Sequence, residues 1–423
     1  MRILVLAFFL MGCSSARFIK KEISNMESQL HEHVGFYLYD LSAKKVKADF
    51  NGAKFFTPAS NTKIFTLYTS LRLLGDSIAA LKYIHREDSL VFQGLGDPSF
   101  LYKNVFDNGR VYQFLKEHRG RLFFSANNFH TQRMGSGWAW DDYNDYYSVE
   151  RSPFPVFGNV MTIQRQNDQF TFTPQRFALD FHVSPETRAS TEIVREMNSN
   201  RLMFHDGKRK LKKWTIPFFT SEELTRALLQ DTLHRNVEDI QLLAFGNAKI
   251  LKSVPADSVY KVMMVDSDNF IAEQLLLQCA SVVSDTLRPE IAIKYSKENF
   301  LTSLPDTVQW VDGSGLSRYN LFTPRSIVAL WEKIYALVPQ DRLFKLLAVG
   351  GKPGTLRGYF KSPKPYVFGK TGSLSNNASL SGYLVTKRGK IFIFSFANNN
   401  FIASGSDVRK RMEKIINRIR DKN

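Results

Sequence analysis

The sequence predicts a mixed α/β (α+β) chain, in which an antiparallel sheet flanked by helices is interrupted by an inserted β-rich region. Three observations lead there. Residues 33–50 alternate apolar and polar side chains around the polar turn Ser42-Ala43-Lys44-Lys45, the period-two pattern of a β-hairpin. Residues 366–370, 380–386 and 391–397 read as three more strands, the last two joined by Lys387-Arg388-Gly389-Lys390. A basic amphipathic helix follows over 407–420, with Val408, Met412, Ile415, Ile416 and Ile419 on one side to cover the sheet. Between these ends, residues 90–248 are richer in short strand-like runs and turn residues, with one helix near 221–234, and read as one or two inserted domains.

Just after the hairpin, Pro58 opens a stretch in which Ile64, Leu67, Leu71 and Leu74 recur at helical spacing until Gly75, predicting a helix that starts near Ser60. With 423 residues, 43% of them apolar and 13% aromatic, the chain is long enough for two or three packed domains and is not of the disordered class.

The first residues read as a targeting segment. Arg2 precedes the apolar run 3–11, which is far short of the ~20 residues a spanning helix needs. Leu10-Met11-Gly12-Cys13 resembles a bacterial lipobox, which implies a lipoprotein-type signal peptide over 1–12, lipidation of Cys13 and tethering to a membrane of the cell envelope in the periplasm. An ordinary signal peptide with an incidental cysteine is the alternative, and either way export is expected. Cys279, in the apolar run Leu275-Leu276-Leu277-Gln278-Cys279-Ala280, reads as a small buried hydrophobe, so no intramolecular disulfide is expected.

The formal charge of +17 and the run Lys208-Arg209-Lys210-Leu211-Lys212-Lys213 invite a nucleic-acid reading. An exported protein meets anionic wall polymers and lipid headgroups first, so no nucleic-acid partner is expected, and the run reads as a solvated turn or strand edge.

Three short motifs carry the chemistry. Ser-x-x-Lys occurs three times, at Ser42/Lys45, Ser60/Lys63 and Ser258/Lys261. Ser42 falls in the hairpin turn and Ser258 in mid-helix, whereas Ser60 begins a helix one turn from Lys63 on the same face. A neutral Lys63 amine there can take the hydroxyl proton as Ser60 attacks, with no histidine needed. Desolvation and a second cation, Lys370, would keep that amine neutral. Ser267-Asp268-Asn269 lies between two apolar helical stretches, where Ser267 can relay a proton and Asn269 can hold Lys63 and a substrate amide. Lys370-Thr371-Gly372 closes a strand-like run whose edge can pair with an extended peptide. Lys370 and Thr371 would take the peptide's carboxylate, Gly372 would leave room for close approach, and the amides of Ser60 and Ser373 would form an oxyanion hole. Taken singly each motif is weak. Their joint occurrence in one order resembles the trio of penicillin-binding proteins and class A β-lactamases.

Beyond the trio, the sequence resembles the class C low-molecular-mass penicillin-binding proteins, D-alanyl-D-alanine carboxypeptidases and endopeptidases. The matching stretches are Thr57-Pro58-Ala59-Ser60-Asn61-Thr62-Lys63, Gly94-Leu95-Gly96-Asp97-Pro98, Gly137-Trp138-Ala139-Trp140-Asp141-Asp142-Tyr143, Ser267-Asp268-Asn269-Phe270-Ile271-Ala272-Glu273, Asp312-Gly313-Ser314-Gly315-Leu316-Ser317-Arg318 and Lys370-Thr371-Gly372-Ser373. The resemblance implies a split catalytic domain, here 13–88 with 248–423, and accessory insertion over 89–247. It implies acylation of Ser60 by peptidoglycan stem peptides, covalent inhibition by β-lactam antibiotics, and no cofactor. It also implies that Asp142 and Arg318 hold the terminus of the substrate's side chain.

A β-lactamase-related hydrolase is the rival enzyme, but no Glu-x-x-Leu-Asn sequence supplies its second base. A catalytically inactive wall-binding lipoprotein is the rival of another class. No Gly-x-Ser-x-Gly elbow or His-Glu-x-x-His helix occurs, and no metal is predicted at His31-Glu32-His33.

Overall fold

The computed structural model describes residues 4–102, 109–241 and 245–423, with side chains from Arg17 onward. The side chain of Cys13 lies outside the described residues. The chain forms two compact units, one made of Met1–Thr69, Tyr260–Asp268 and Ser296–Asn423, the other of Ser70–Val259 and Asn269–Tyr295.

The first unit is built on a six-stranded sheet, antiparallel throughout. Its order is Ala348–Val349, Val367–Leu374, Asn377–Val385, Ile391–Asn399, His33–Asp40, Lys45–Phe50. The expected hairpin at 33–50 and the three late strands are all present, and the first strand pairs with the last, His33 opposite Asn399. One sheet face, carrying Phe36, Leu380, Leu384, Phe392, Phe394 and Phe396, is buried with Val408, Met412, Ile415, Ile416 and Ile419 of the C-terminal helix Gly405–Lys422. That helix has the expected buried face and starts at a Ser404 cap whose Oγ accepts from Asp407 N at 3.1 Å. The N-terminal helix, Leu4–Leu30, adds Ile19, Ile23 and Met26 to the same core. Its spacing of four and three apolar positions was not recognised in the sequence, where the targeting run drew attention away from it. Among the described residues, no helix is long and apolar enough to cross a membrane.

The opposite face of the sheet is lined by small residues. Ser379, Ser381 and Gly35 stand there, and the helix Pro324–Leu337 packs against them: Trp331 Nε1 donates to Ser381 Oγ at 2.8 Å, and Tyr383 Oη donates to Trp331 O at 2.7 Å. A Cβ on Gly35 would meet the Phe56 ring at 2.4 Å, so only glycine lets Phe56 and its flanking chain lie so close. This close approach seats the turn that follows Phe56.

The second unit holds a five-stranded mixed sheet and two three-stranded sheets, as a β-rich insertion requires. Its core includes Phe92, Phe124, Phe154, Met161, Phe177, Phe204, Trp214 and Leu229. The expected helix is Glu222–Leu233, capped by Ser221, whose Oγ accepts from Leu224 N at 3.0 Å. Residues 208–213 are exposed where one small sheet hands over to the next, which matches the solvated reading of that lysine-rich run.

Ile416 is fully buried under the main sheet. Ile416→Ala is expected to lower unfolding stability by about 2–5 kcal/mol, read as a lower denaturant midpoint with an unchanged slope.

Candidate active site

The residues 58–63 do not form the α-helical start that the periodicity predicted. Ala59–Thr62 is a single 3-10 turn, and the α-helix Lys63–Leu73 begins only at the lysine. Ala59 sits at φ +49°, a conformation that a residue with a Cβ adopts only when its surroundings enforce it. Several contacts do so. Thr62 Oγ1 donates back to Ala59 O at 2.9 Å, and Gly315, at φ +85°, lies so near that a Cβ there would stand 1.9 Å from the same carbonyl.

Asn61, which the sequence reading passed over, fastens this turn to the sheet. Its Nδ2 donates to Ser379 Oγ at 2.7 Å and to the Lys370 carbonyl at 3.3 Å, while its Oδ1 accepts from Ser381 Oγ at 2.5 Å. Ser379 Oγ also donates to Pro58 O at 2.7 Å. Alternate serines on one strand, in line with an asparagine beside the nucleophile, are the sequence signal that could have revealed the contact.

The turn brings Ser60 and Lys63 together as expected. Lys63 Nζ, fully buried, donates to Ser60 Oγ at 2.9 Å and to Ser314 O at 2.6 Å. The loop supplying Ser314 O is organised by buried Asp312, which accepts from Gly315 N at 2.9 Å, Ser317 N at 2.7 Å and Asn320 Nδ2 at 2.8 Å. A carboxylate taking several amide donors is well satisfied in the interior, so the loop keeps one shape.

Lys370 does not close its strand. Val367–Leu374 continues for four residues beyond it, with Lys370 opposite Ser381 and Gly372 opposite Ser379. The neighbouring short strand reaches only Gly369 and Phe368, so among the described residues Lys370–Leu374 has no strand on its outer side. The room that Gly372 provides is filled by the protein itself: a Cβ there would lie 2.6 Å from Pro58 O and 2.3 Å from Ser379 Oγ. The space a side chain would take at Gly372 is thus occupied by the turn that carries Ser60.

Lys370 Nζ donates to Ser267 Oγ at 2.7 Å and to Thr371 O at 2.7 Å. Ser267 stands at φ +65° in the link between the helices Ala256–Val265 and Asn269–Ser284. Burial, then the nearby Lys63, hold the Lys370 amine well below the ordinary lysine range, opposed by the Asp266 carboxylate. The repulsion is mutual, so this pair of buried amines holds one proton more readily than two.

Arg318 is exposed and reaches Ser375 O with both terminal nitrogens at 3.4 Å, beyond the far end of the same strand. Arg409 of the C-terminal helix, another residue the sequence reading missed, donates to Ser373 Oγ at 3.4 Å. Asn269 and Asp142 belong to the second unit. There Asn269 Nδ2 donates to Tyr147 O at 2.9 Å and Tyr147 Oη donates to Asp142 Oδ1 at 3.0 Å, so one tyrosine joins them. Ser258 is in the first helical turn rather than mid-helix, its Oγ bonded to Pro255 O at 2.6 Å. Cys279 is fully buried, and burial pushes its thiol up to about 12.

Beside this geometry stands a match of the chain, over residues 19–422, to the family model of the D-Ala-D-Ala carboxypeptidase 3 (S13) family. The chain belongs to that family. It is 25% identical over 438 residues to a D-alanyl-D-alanine carboxypeptidase, DacB, of Haemophilus influenzae, covering 90% of this chain and 89% of that protein. It is 22% identical to the penicillin-sensitive carboxypeptidase A of Dictyostelium discoideum, over 86% of this chain and 82% of the other. The crystal structure of penicillin-binding protein 4 from Haemophilus influenzae shares the fold, with a TM-score of 0.75 at 20% identity over 94% of this chain and 98% of that one. The family's fold thus accounts for both the flanked antiparallel sheet and the β-rich second unit.

Two outcomes follow from the geometry. Gly315→Ala, whose Cβ cannot fit beside Ala59 O, is expected to slow covalent labelling by a fluorescent penicillin about tenfold or more, while circular dichroism stays native. Labelling is also expected to slow as pH falls and the lysine pair takes up its second proton. Asp266→Asn removes the carboxylate that raises the Lys370 pKa, so this acid limb should move to lower pH; a move to higher pH would contradict the assignment.

Proposed function

We propose that the protein is a serine D-alanyl-D-alanine carboxypeptidase and endopeptidase of peptidoglycan stem peptides, working through an acyl-enzyme on Ser60. The observation that carries this reading is the fully buried Lys63 amine 2.9 Å from Ser60 Oγ. Run in the opposite sense, that hydrogen bond passes the hydroxyl proton to a neutral amine as Ser60 attacks the penultimate carbonyl.

The extended peptide lies along the outer side of Lys370–Leu374, as an added strand. Lys370 and Thr371 meet the terminal carboxylate. The amides of Ser60 and Ser373 face the oxyanion. Ser267, bonded to Lys370, relays a proton from Lys63 to the departing amine. Water then attacks the ester with Lys63 as base and frees Ser60. Asn269 holds Lys63 and takes the substrate amide, while Asp142 and Arg318 take the terminus of the substrate's side chain, the role that the resemblance assigns to those two. Gly372 serves by seating the nucleophile turn. The chemistry asks for no cofactor. β-Lactams are expected to trap the same ester, in keeping with the penicillin sensitivity named for the Dictyostelium relative. Lipidation of Cys13, after loss of residues 1–12, would tether the enzyme in the periplasm.

Ser60→Ala is expected to abolish labelling by fluorescent penicillin and to lower alanine release from muropeptides by about a thousandfold or more. Mass spectrometry of the products separates the two activities: loss of a terminal alanine marks the carboxypeptidase, conversion of crosslinked dimers to monomers the endopeptidase. A native chain that never labels and releases neither product would overturn the proposal.

A further inference from the structure

Lys370 and Thr371 are the residues that the proposed hydrolysis gives to the peptide's terminal carboxylate, yet the lysine is poorly suited to hold an anion. Burial and the nearby Lys63 keep its amine well below the ordinary lysine range, and its contacts, Ser267 Oγ and Thr371 O at 2.7 Å each, are neutral. An amine that is often uncharged offers a carboxylate a hydrogen bond but little net charge. A permanent cation beside it would supply the missing charge.

Such a cation stands on the other face of the same strand. Along Val367–Leu374 the side chains of Thr371 and Ser373 alternate with those of Lys370 and Gly372, and Thr371 pairs with Leu380, whose face packs against the C-terminal helix Gly405–Lys422. From that helix Arg409 Nη1 donates to Ser373 Oγ at 3.4 Å, and Arg409 Nε donates to Tyr359 Oη at 3.2 Å. Both acceptors are hydroxyls, which fix the guanidinium without neutralising it and keep their own protons to donate. Among the described residues no carboxylate pairs with Arg409. The acids of its own helix are engaged elsewhere: Asp407 Oδ2 accepts from Ser404 Oγ at 2.9 Å, Glu413 Oε1 accepts from Phe360 N at 2.5 Å, and Asp421 pairs with Lys387 at 3.1 Å. The guanidinium is half-buried and folds back over Gly405, where a Cβ would meet Nη1 at 3.3 Å. That is the start of the helix, where the dipole disfavours a cation left without an anion.

We infer that Arg409, with the hydroxyls of Thr371 and Ser373, binds the terminal carboxylate of the peptide and so selects substrates whose leaving residue carries a free carboxylate. This rests on the proposed hydrolysis and names the residue that supplies its charge. The path of the peptide decides which carboxylate is meant. With the Ser373 amide facing the oxyanion, the carbonyl under attack lies beside Ser373, and the terminal carboxylate follows about 3.8 Å further on, toward Thr371. Arg318 meets the strand at Ser375 instead, on the side of the acyl portion. The planar fork of a guanidinium matches a carboxylate with two parallel hydrogen bonds and keeps its charge at any pH the enzyme meets.

The test gives the full chain two stem peptides ending in D-alanyl-D-alanine, one with a free terminal carboxylate and one with that group converted to the carboxamide. Release of alanine or alaninamide yields kcat/KM for each. The native chain is expected to prefer the free acid by about tenfold or more. Arg409→Gln should lower that ratio about tenfold, and Arg409→Lys, which has the charge without the fork, should keep part of it. An arginine with a merely structural role would change both rates together and leave the ratio unmoved. A second measurement needs no variant: the native preference should persist to about pH 10, where a depressed lysine amine is neutral and arginine is not. A preference that disappears as pH rises assigns the recognition to a lysine and overturns the inference. So does an Arg409→Gln chain that keeps the native ratio, or a native chain that hydrolyses both peptides equally well. A native chain that hydrolyses neither overturns the proposed hydrolysis along with it.

Discussion

Everything at the site depends on how closely one short turn can approach the sheet. Residues 58–62 lie on a strand face from which side-chain bulk has been removed: Gly372, Ser379 and Ser381 are opposite them, and Asn61 takes the serine hydroxyls and the Lys370 carbonyl into one hydrogen-bonded set. Buried polar groups are tolerated only when they are paired, and once paired they allow a single arrangement. The same set that anchors the turn therefore fixes where Ser60 Oγ stands relative to Lys63 and where both stand relative to Lys370. From the other side, Gly315 and the Asp312-centred loop press on Ala59 and present a carbonyl to Lys63. The turn carrying Ser60 is held between these two sets of contacts within one unit, which is how an unusual backbone conformation at Ala59 can persist.

Two lysines are buried within this frame: the Lys63 contacts include a hydroxyl and a carbonyl, and Lys370 is held by the Ser267 hydroxyl and the Thr371 carbonyl. Neutral acceptors satisfy an amine's protons without stabilising its charge as an anion would. For Lys370, burial and the neighbouring Lys63 amine add to this, and together they favour an amine that gives its proton up. The nearest named acidic influence, Asp266, acts on Lys370 at a distance and lies at the surface.

Much of this was legible in the sequence because it rested on local rules. Period-two alternation located the hairpin and the late strands, apolar spacing located the C-terminal helix, and the order of three motifs picked Ser60 from three serines in Ser-x-x-Lys. What escaped was non-local. Asn61 looks like any polar residue until the strand 377–385 is laid against it, and Gly372 looked like clearance for a ligand because nothing in the sequence says that Pro58 fills that space. The N-terminal helix was overlooked for another reason: its apolar positions are few, and the run before them carries a stronger signal of a different kind. The start at Ser60 was misjudged because apolar periodicity reports which side of a helix is buried, not whether its first turn is α or 3-10.

The pairing of the first strand with the last, His33 with Asn399, ties together segments at nearly opposite ends of the chain. Their contact closes a loop of almost the full length, the kind of link that forms late because so much conformational freedom must be given up before it is rewarded. The sheet that carries the second lysine is therefore incomplete until the final strand has been synthesised. A chain that stops short of residue 399 leaves the strand Asn377–Val385, which fastens Asn61 through Ser379 and Ser381, without its neighbour on one side.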